Sequence, residues 1–218
     1  MKQATIELYS YHRSSAAFRV RIALNLKGLK YDITPVNLLT GEQRTDDYLK
    51  INPLGLVPAL RINGGDVICQ STAILEFLDV EYPTTPLIPE DHSAAARVRQ
   101  IVNTIACDIH PLNNLRVLGY LAENIKVSEE EKSTWYYHWI REGFKAIEEL
   151  IEGEQYCIGT QYTLADAYLI PQVYNALRFN VDMAEYPRIS RVYDYCVQQS
   201  PFIDAMPENQ ADSPAKSS

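Results

Sequence analysis

A chain of 218 residues suffices for one large domain or two small ones. With 46% hydrophobic and 22% charged residues, its composition is that of an ordinary globular protein and excludes fibrous and disordered classes. The net charge of -8 and the lack of any basic run disfavour a nucleic-acid partner.

Cys69, Cys107, Cys157 and Cys196 lie far apart with no C-x-x-C, and four histidines are equally scattered, so no metal site is expected. No apolar run approaches the roughly 20 residues needed to span a bilayer. No secretory signal is evident, and a reduced cytoplasmic setting is expected.

The first 82 residues mix short strands and helices. Thr5–Tyr9 reads as a strand. Ser14 and Ser15 then stand where a helix should begin, because a serine oxygen can accept a bond from an unpaired first-turn N–H. That helix is predicted over 15–27, with Gly28 as its stop. Such an N-terminus attracts anions and would stabilise a thiolate, although the residues by themselves favour a capped helix and nothing more.

Tyr31–Val36 follows as a strand whose Pro35 suits an edge. One short helix is expected at 44–50. Leu56–Ile62 and Val67–Cys69 form a hairpin around Asn63-Gly64-Gly65-Asp66. Ser71 is expected to cap a helix bearing Ile74, Leu75 and Leu78 on one face. The order β-α-β-α-β-β-α predicts a mixed sheet, with parallel pairing early and antiparallel pairing late.

Residues 83–91, with Pro83, Pro86 and Pro89, read as a stiff linker. Beyond them strand signals almost vanish. A helix from about Ser93 should break near His110, because Pro111 follows. Ser128-Glu-Glu-Glu131 is a capping box opening a helix to about Glu152. Thr163-Leu-Ala-Asp166 opens another, expected to be distorted at Pro171. Pro187 opens a last helix ending near Ser200. The polar segment 207–218 is expected to be disordered. The predicted division is 1–82, a linker over 83–91, a helical domain over 92–206, and that tail.

The pattern Tyr9-x-x-x-Arg13-Ser14-Ser15-x-x-x-Arg19-Val20-Arg21-Ile22-Ala23-Leu24 resembles the N-terminal signature of zeta-class glutathione transferases. That family includes maleylacetoacetate isomerase and a close relative, maleylpyruvate isomerase. Leu56-Val57-Pro58-Ala59-Leu60, Gln70-Ser71, Thr163–Gln172 and Ala176–Asp182 extend the resemblance over nearly the whole chain. The family usually reads Ser-Ser-Cys where this chain has Ser14-Ser15-Ala16, and commonly has Trp where this chain has Phe18.

The resemblance implies an α/β thioredoxin-like N-terminal domain followed by an all-α domain, a homodimer, and glutathione as cofactor. It implies a cis bond before Pro58 and pairing of the Val57 backbone with the cysteinyl part of glutathione. Gln70 and Ser71 would hold the γ-glutamyl end, and Gln43 matches a further contact. Ser14 is the expected sulfur donor with Ser15 in support; Tyr9 and Tyr11, donors in other classes, are expected to be packing residues here. Arg13 and Arg178 fall on positions facing a carboxylate substrate, by the paired, charge-assisted bonds of guanidinium. His110, Asn114 and Arg116 match positions reaching the cofactor or its neighbour, although His110 is equally suited to closing a broken helix.

The activity implied is glutathione-dependent conversion of maleylacetoacetate to fumarylacetoacetate in tyrosine and phenylalanine catabolism, with no metal. The alternatives are maleylpyruvate isomerisation, general conjugation or haloacid dehalogenation, and a non-catalytic glutathione-binding protein, for which Ala16 is the best argument.

Overall fold

The structure, a computed structural model, describes residues 4–214. Within them the chain forms two compact units, one comprising the chain up to Leu87 with the segment from Gln198 onward, the other Ile88–Val197.

The first unit is built on four strands in the order β2-β1-β3-β4. These are β1 (Ile6–Ser10), β2 (Asp32–Pro35), β3 (Ala59–Ile62) and β4 (Val67–Cys69). β1 and β2 are parallel, with Leu8 opposite Ile33, and are joined through helix α1 (Ser15–Leu26). β3 runs antiparallel to β1 and β4, pairing Leu60 with Leu8 and with Ile68. Asn63 and Gly64 turn the hairpin with φ of 53° and 68°, the left-handed geometry that an Asn-Gly pair adopts at low cost. A short 3-10 turn (Glu42–Arg44), α2 (Asp46–Ile51) and α3 (Ser71–Glu81) complete this thioredoxin-like unit.

The start of the proline-rich stretch is bonded to the first unit. The Lys27 ammonium, almost wholly enclosed, donates to Asp79 Oδ1 at 2.8 Å and to the carbonyls of Tyr82 and Thr85 at 3.0 and 2.7 Å. Asp79 also accepts from the Leu87 N–H at 2.7 Å, tying the stretch down as far as the edge of the unit.

The expected disordered tail is also corrected. Helix α9 (Ser200–Ile203) and a 3-10 turn (Pro207–Asn209) belong to the first unit. Phe202 and Ala205 are fully buried there, and Gln210 Nε2 closes the segment on the Asp204 and Met206 carbonyls, both at 2.8 Å. Pro207 and Gln210, both buried, hold the described part of 207–218 although its average composition is polar. The remainder of that expectation, 215–218, lies outside the described residues.

The second unit opens with α4 (His92–Asn103), capped by Asp91. It runs into a π-helical turn (Thr104–Ile109), where the His110 N–H reaches five residues back to Ile105 at 2.9 Å. Pro111 then has no N–H to continue the ladder, and the chain leaves the helix. A short helix absent from the sequence reading, α5 (Leu115–Tyr120), starts at the Asn114 cap and passes into a second π-helical turn (Leu121–Ile125).

α6 (Glu129–Leu150) and α7 (Leu164–Arg178) both carry the predicted capping boxes. α7 continues through Pro171 unbroken. α8 (Pro187–Cys196) has no side-chain cap of its own. The Glu148 carboxylate of α6 fills that role, accepting from the N–H groups of Arg188 and Ile189 at 2.8 and 3.0 Å.

α6 touches the first π-helical turn at Gly143, where an added Cβ would fall 2.2 Å from Ile109 Cδ1. Ile109 is fully buried, so it cannot swing into solvent. Gly143→Ala gains about 1 kcal/mol of helix propensity but forces an overpacking cost of roughly 1–3 kcal/mol. Urea unfolding is expected to show a net loss of about 1 kcal/mol, and the cost should shrink in the Gly143→Ala/Ile109→Ala double variant relative to the sum of the singles.

Candidate active site

The turn before α1 carries the first group. The Ser14 N–H donates to the Tyr11 carbonyl at 2.9 Å, closing a β-turn with His12 and Arg13 at its centre. Ser14 is the N-cap, and its Oγ accepts from the Ala17 N–H at 3.2 Å. Its hydroxyl hydrogen has no acceptor among the described residues. Ser14 is partly exposed, whereas Ser15 is buried and engaged by other groups. The two adjacent hydroxyls therefore differ: one faces outward with a free hydrogen, and the other is internal.

Arg13 is exposed and has no ion pair among the described residues; its Nη2 lies 3.4 Å from the Tyr11 hydroxyl. Tyr9 is not available as a sulfur donor. Its phenol donates to Glu7 at 3.1 Å and accepts from Arg61 at 2.5 Å, and burial together with Glu7 pushes its pKa up.

A second loop comes against the first. Val57–Pro58 is a cis peptide bond. The Val57 side chain packs in one buried cluster with Tyr9, Tyr11, Val36, Tyr48 and Ala59, which joins its loop to the Ser14 turn. The Val57 N–H and carbonyl make no hydrogen bond among the described residues, leaving a backbone edge for an extended ligand.

Asn52, buried and not singled out in the sequence, holds this loop. It donates from Nδ2 to the Leu56 carbonyl at 2.7 Å and accepts from the Leu54 N–H at 3.1 Å. The Tyr48 hydroxyl donates to the same carbonyl at 2.7 Å. Gln43 sits beside the loop, and its buried Oε1 has no partner among the described residues.

Gln70 and Ser71 open α3, but not as expected. Gln70 occupies the cap position with φ 73° and ψ 121°, and no side chain caps the helix. Ser71 is the first helical residue; its Oγ accepts from Arg19 Nη1 at 3.2 Å. Its N–H, one of the first-turn donors without an intrahelical acceptor, is left for another group. Arg19 and Arg21 on α1 are both buried, a feature the sequence signals only as charges inside an apolar run.

Arg21 donates to the Ser10 hydroxyl at 3.1 Å, the His12 carbonyl at 3.0 Å and the Ala205 carbonyl at 3.0 Å. The His12 N–H donates to Asp212 Oδ2 at 2.8 Å. Burial pushes the His12 imidazole below its usual pKa, against the attraction of Asp212, whose carboxylate lies 3.4 Å from Nδ1 without hydrogen-bond geometry.

The structure thus brings Ser14, Gln43, Val57, Pro58 and Ser71 onto connected parts of the first unit. These groups fit glutathione: an unengaged hydroxyl at a helix N-terminus for the thiol, a free backbone edge for the cysteinyl peptide, and an uncapped helix start for a carboxylate.

In the second unit, His110 is half-buried at the end of the π-helical turn and engaged by neighbours. The Asn114 oxygen is used in capping α5, accepting from the Val117 N–H at 3.0 Å. Arg116 is exposed. Arg178 ends α7, exposed, with its guanidinium carbon 4.9 Å from the centre of the Phe179 ring and no ion pair among the described residues. No helix among the described residues is long and apolar enough to cross a membrane, and no cluster of three metal-ligating side chains occurs among them.

Comparison with known proteins identifies the family. The family model "Glutathione S-transferase, N-terminal domain" matches residues 13–81, and "Glutathione S-transferase, C-terminal domain" matches 139–200. The chain is 44% identical to the maleylacetoacetate isomerase of Pseudomonas aeruginosa, over 96% of this chain and 100% of that one.

Among solved structures, a bacterial zeta-class maleylpyruvate isomerase aligns with a TM-score of 0.92 at 42% identity, over 95% of this chain and 100% of that one. A maleylacetoacetate isomerase from Anaeromyxobacter dehalogenans, solved with glutathione in its active site, aligns with a TM-score of 0.89 at 39% identity, over 98% and 100% of the two chains. The fold is that of a glutathione transferase, and the chain belongs to that family. Within that family, the chain belongs to the zeta class.

Gly55 limits how the Val57 loop can be built. It has φ of 61°, and a Cβ there would lie 2.9 Å from the Gln43 carbonyl oxygen. Gly55→Ala is expected to lower stability by about 1–2 kcal/mol through the left-handed backbone and to push the Gln43 turn away. Thermal unfolding reads the first effect and calorimetric titration with glutathione the second, as an affinity loss of about tenfold or more.

Proposed function

We propose that this protein is a glutathione-dependent cis–trans isomerase that converts maleylacetoacetate to fumarylacetoacetate. The observation that carries the reading is the outward Ser14 hydroxyl, with its oxygen occupied by the helix and its hydrogen unclaimed. Glutathione, when bound, supplies a sulfur nucleophile that adds reversibly across the cis double bond, allowing rotation before it departs.

The chain's part is to keep that sulfur ionised and the substrate placed. A free thiol has a pKa of about 8.5, so only a few per cent is thiolate at neutral pH. The Ser14 hydrogen bond contributes about 1 kcal/mol and the α1 N-terminus about as much, together about a tenfold or greater gain in thiolate. Ser15, buried behind it, supports the turn. The Val57 edge, Pro58, Gln43 and the Gln70-Ser71 helix start would hold the tripeptide.

Arg13 and Arg178, each without an internal ion pair, are assigned to the substrate carboxylates. Positive charge there also favours negative charge developing on the adjacent carbonyl. His110, Asn114 and Arg116 are assigned to contacts with glutathione or its neighbour; for Asn114 this leaves the Nδ2 side, since the oxygen caps α5. Ala16 removes the family's protein thiol, and the proposed chemistry needs none. The same reading implies a cytoplasmic homodimer in tyrosine and phenylalanine catabolism.

Maleylpyruvate is the second reading, favoured by the likeness to the maleylpyruvate isomerase structure and by His110 in Asp108-Ile-His-Pro-Leu-Asn-Asn114. Comparing kcat/KM for the two acids decides between them.

Isomerisation of either acid is expected only with glutathione present. Ser14→Ala should lower kcat about tenfold or more and raise the pH at which bound glutathione ionises, while Ser14→Thr keeps hydroxyl and cap and retains most activity. Wild-type turnover by Ser14→Ala would refute the donor assignment. Arg178→Gln and Arg13→Gln should each raise KM for the acid about tenfold or more and leave glutathione affinity within about twofold.

A further inference from the structure

The turn that presents Ser14 is fixed from behind by the end of the chain. His12 is the second residue of the Tyr11–Ser14 turn, and both of its backbone polar groups are taken. Its N–H goes to the Asp212 carboxylate at 2.8 Å, and its carbonyl accepts from Arg21 at 3.0 Å. Arg21 in turn reaches the Ala205 carbonyl at 3.0 Å, beside the fully buried Phe202. The His12 side chain is buried against the Tyr11 ring, with centroids 4.4 Å apart, so its own orientation is also set. The segment 198–214 is therefore tied to the turn at two points 7 residues apart, Ala205 and Asp212.

We propose that Asp212 and Arg21 are positioning residues for Ser14 and Arg13, with the C-terminal segment acting as a clamp that sets the turn. This rests on the reading of Ser14 as the donor to the glutathione sulfur. The physical argument is orientation. A connecting turn held by few bonds ordinarily samples several geometries. A donor held a fraction of an ångström out of line loses much of its effect, and misplacement by about 1 Å can cost about a hundredfold in rate. Securing the N–H and the carbonyl of one residue restrains the two peptide planes flanking it, and Arg13 and Ser14 follow directly. The bond that the His12 N–H donates to the Asp212 carboxylate is charge-assisted and so stronger than a neutral one.

The test uses the full chain with Asp212→Ala, Asp212→Asn and Arg21→Lys. Three quantities are read: glutathione affinity by calorimetry, ionisation of bound glutathione by thiolate absorbance against pH, and kcat with KM. Asp212→Ala is expected to bind glutathione within about twofold of wild type, to ionise it at higher pH, and to lose about five- to tenfold in kcat. Asp212→Asn keeps an acceptor for the His12 N–H and is expected to recover most of that loss. Arg21→Lys, with one of three donors' geometry kept, should fall in kcat in the same way while its thermal midpoint reports any loss of fold.

A wild-type chain that binds and isomerises, with an Asp212→Ala variant matching it in kcat and thiolate ionisation, would overturn the clamp alone. So would an Asp212→Asn variant no better than Asp212→Ala. A wild-type chain that bound no glutathione would overturn the function and this role together.

Discussion

The first unit depends on one buried guanidinium. Burying an arginine is costly unless its donors are satisfied, and the cost falls on whichever groups must be brought to it. Arg21 draws in the end of β1 through Ser10, the turn through His12, and the C-terminal segment through Ala205. Three stretches that are remote in sequence meet because one side chain needs acceptors. Arg19, two residues earlier, does the same toward α3 through Ser71. The helix that supplies the N-terminus of the site also supplies the bonds that arrange its surroundings.

This explains what the sequence made legible and what it hid. Local rules worked where the cause is local. The Ser14 cap, the Asn63-Gly64 turn, the boxes at Ser128 and Thr163, and the break before Pro111 each follow from a residue acting on its own backbone. Ser71 also looked like a cap, but a distant arginine claims its oxygen, and Gln70 with its positive φ takes the cap position instead. The tail 207–218 read as disordered because its polar residues dominate the average, whereas Pro207, Gln210 and Asp212 hold the part of it that the structure describes. The short helix after Asn114 was missed for a related reason: it carries no buried residue and so no apolar stripe.

The charge distribution fits an acidic substrate in a way that net charge does not. At -8 the chain as a whole repels an anion, so attraction has to be local. On the proposed reading that is the part of Arg13 and Arg178, neither of which has an ion pair among the described residues, unlike Arg61, which is paired with Glu7 at 3.0 Å. The same contrast separates Ser14 from Tyr9. Tyr9 lies in β1 and Ser14 caps the helix that follows it, but the tyrosine hydroxyl is spent on Glu7 and Arg61 and the serine hydroxyl hydrogen is not.

A hydroxyl has two lone pairs and one hydrogen, so capping a helix and donating to a sulfur do not compete for the same part of the atom. Ser14 can accept from Ala17 and still present its hydrogen outward, and polarisation by the accepted bond makes it a better donor. A cysteine two positions later would add a second sulfur without adding to this donation. Its replacement by Ala16 removes redox and mixed-disulfide chemistry there, yet leaves the cap, the helix dipole and the turn as they are. On the proposed reading, the part of the site that would activate a borrowed thiol is thus built entirely from groups that the fold already requires at the front of α1.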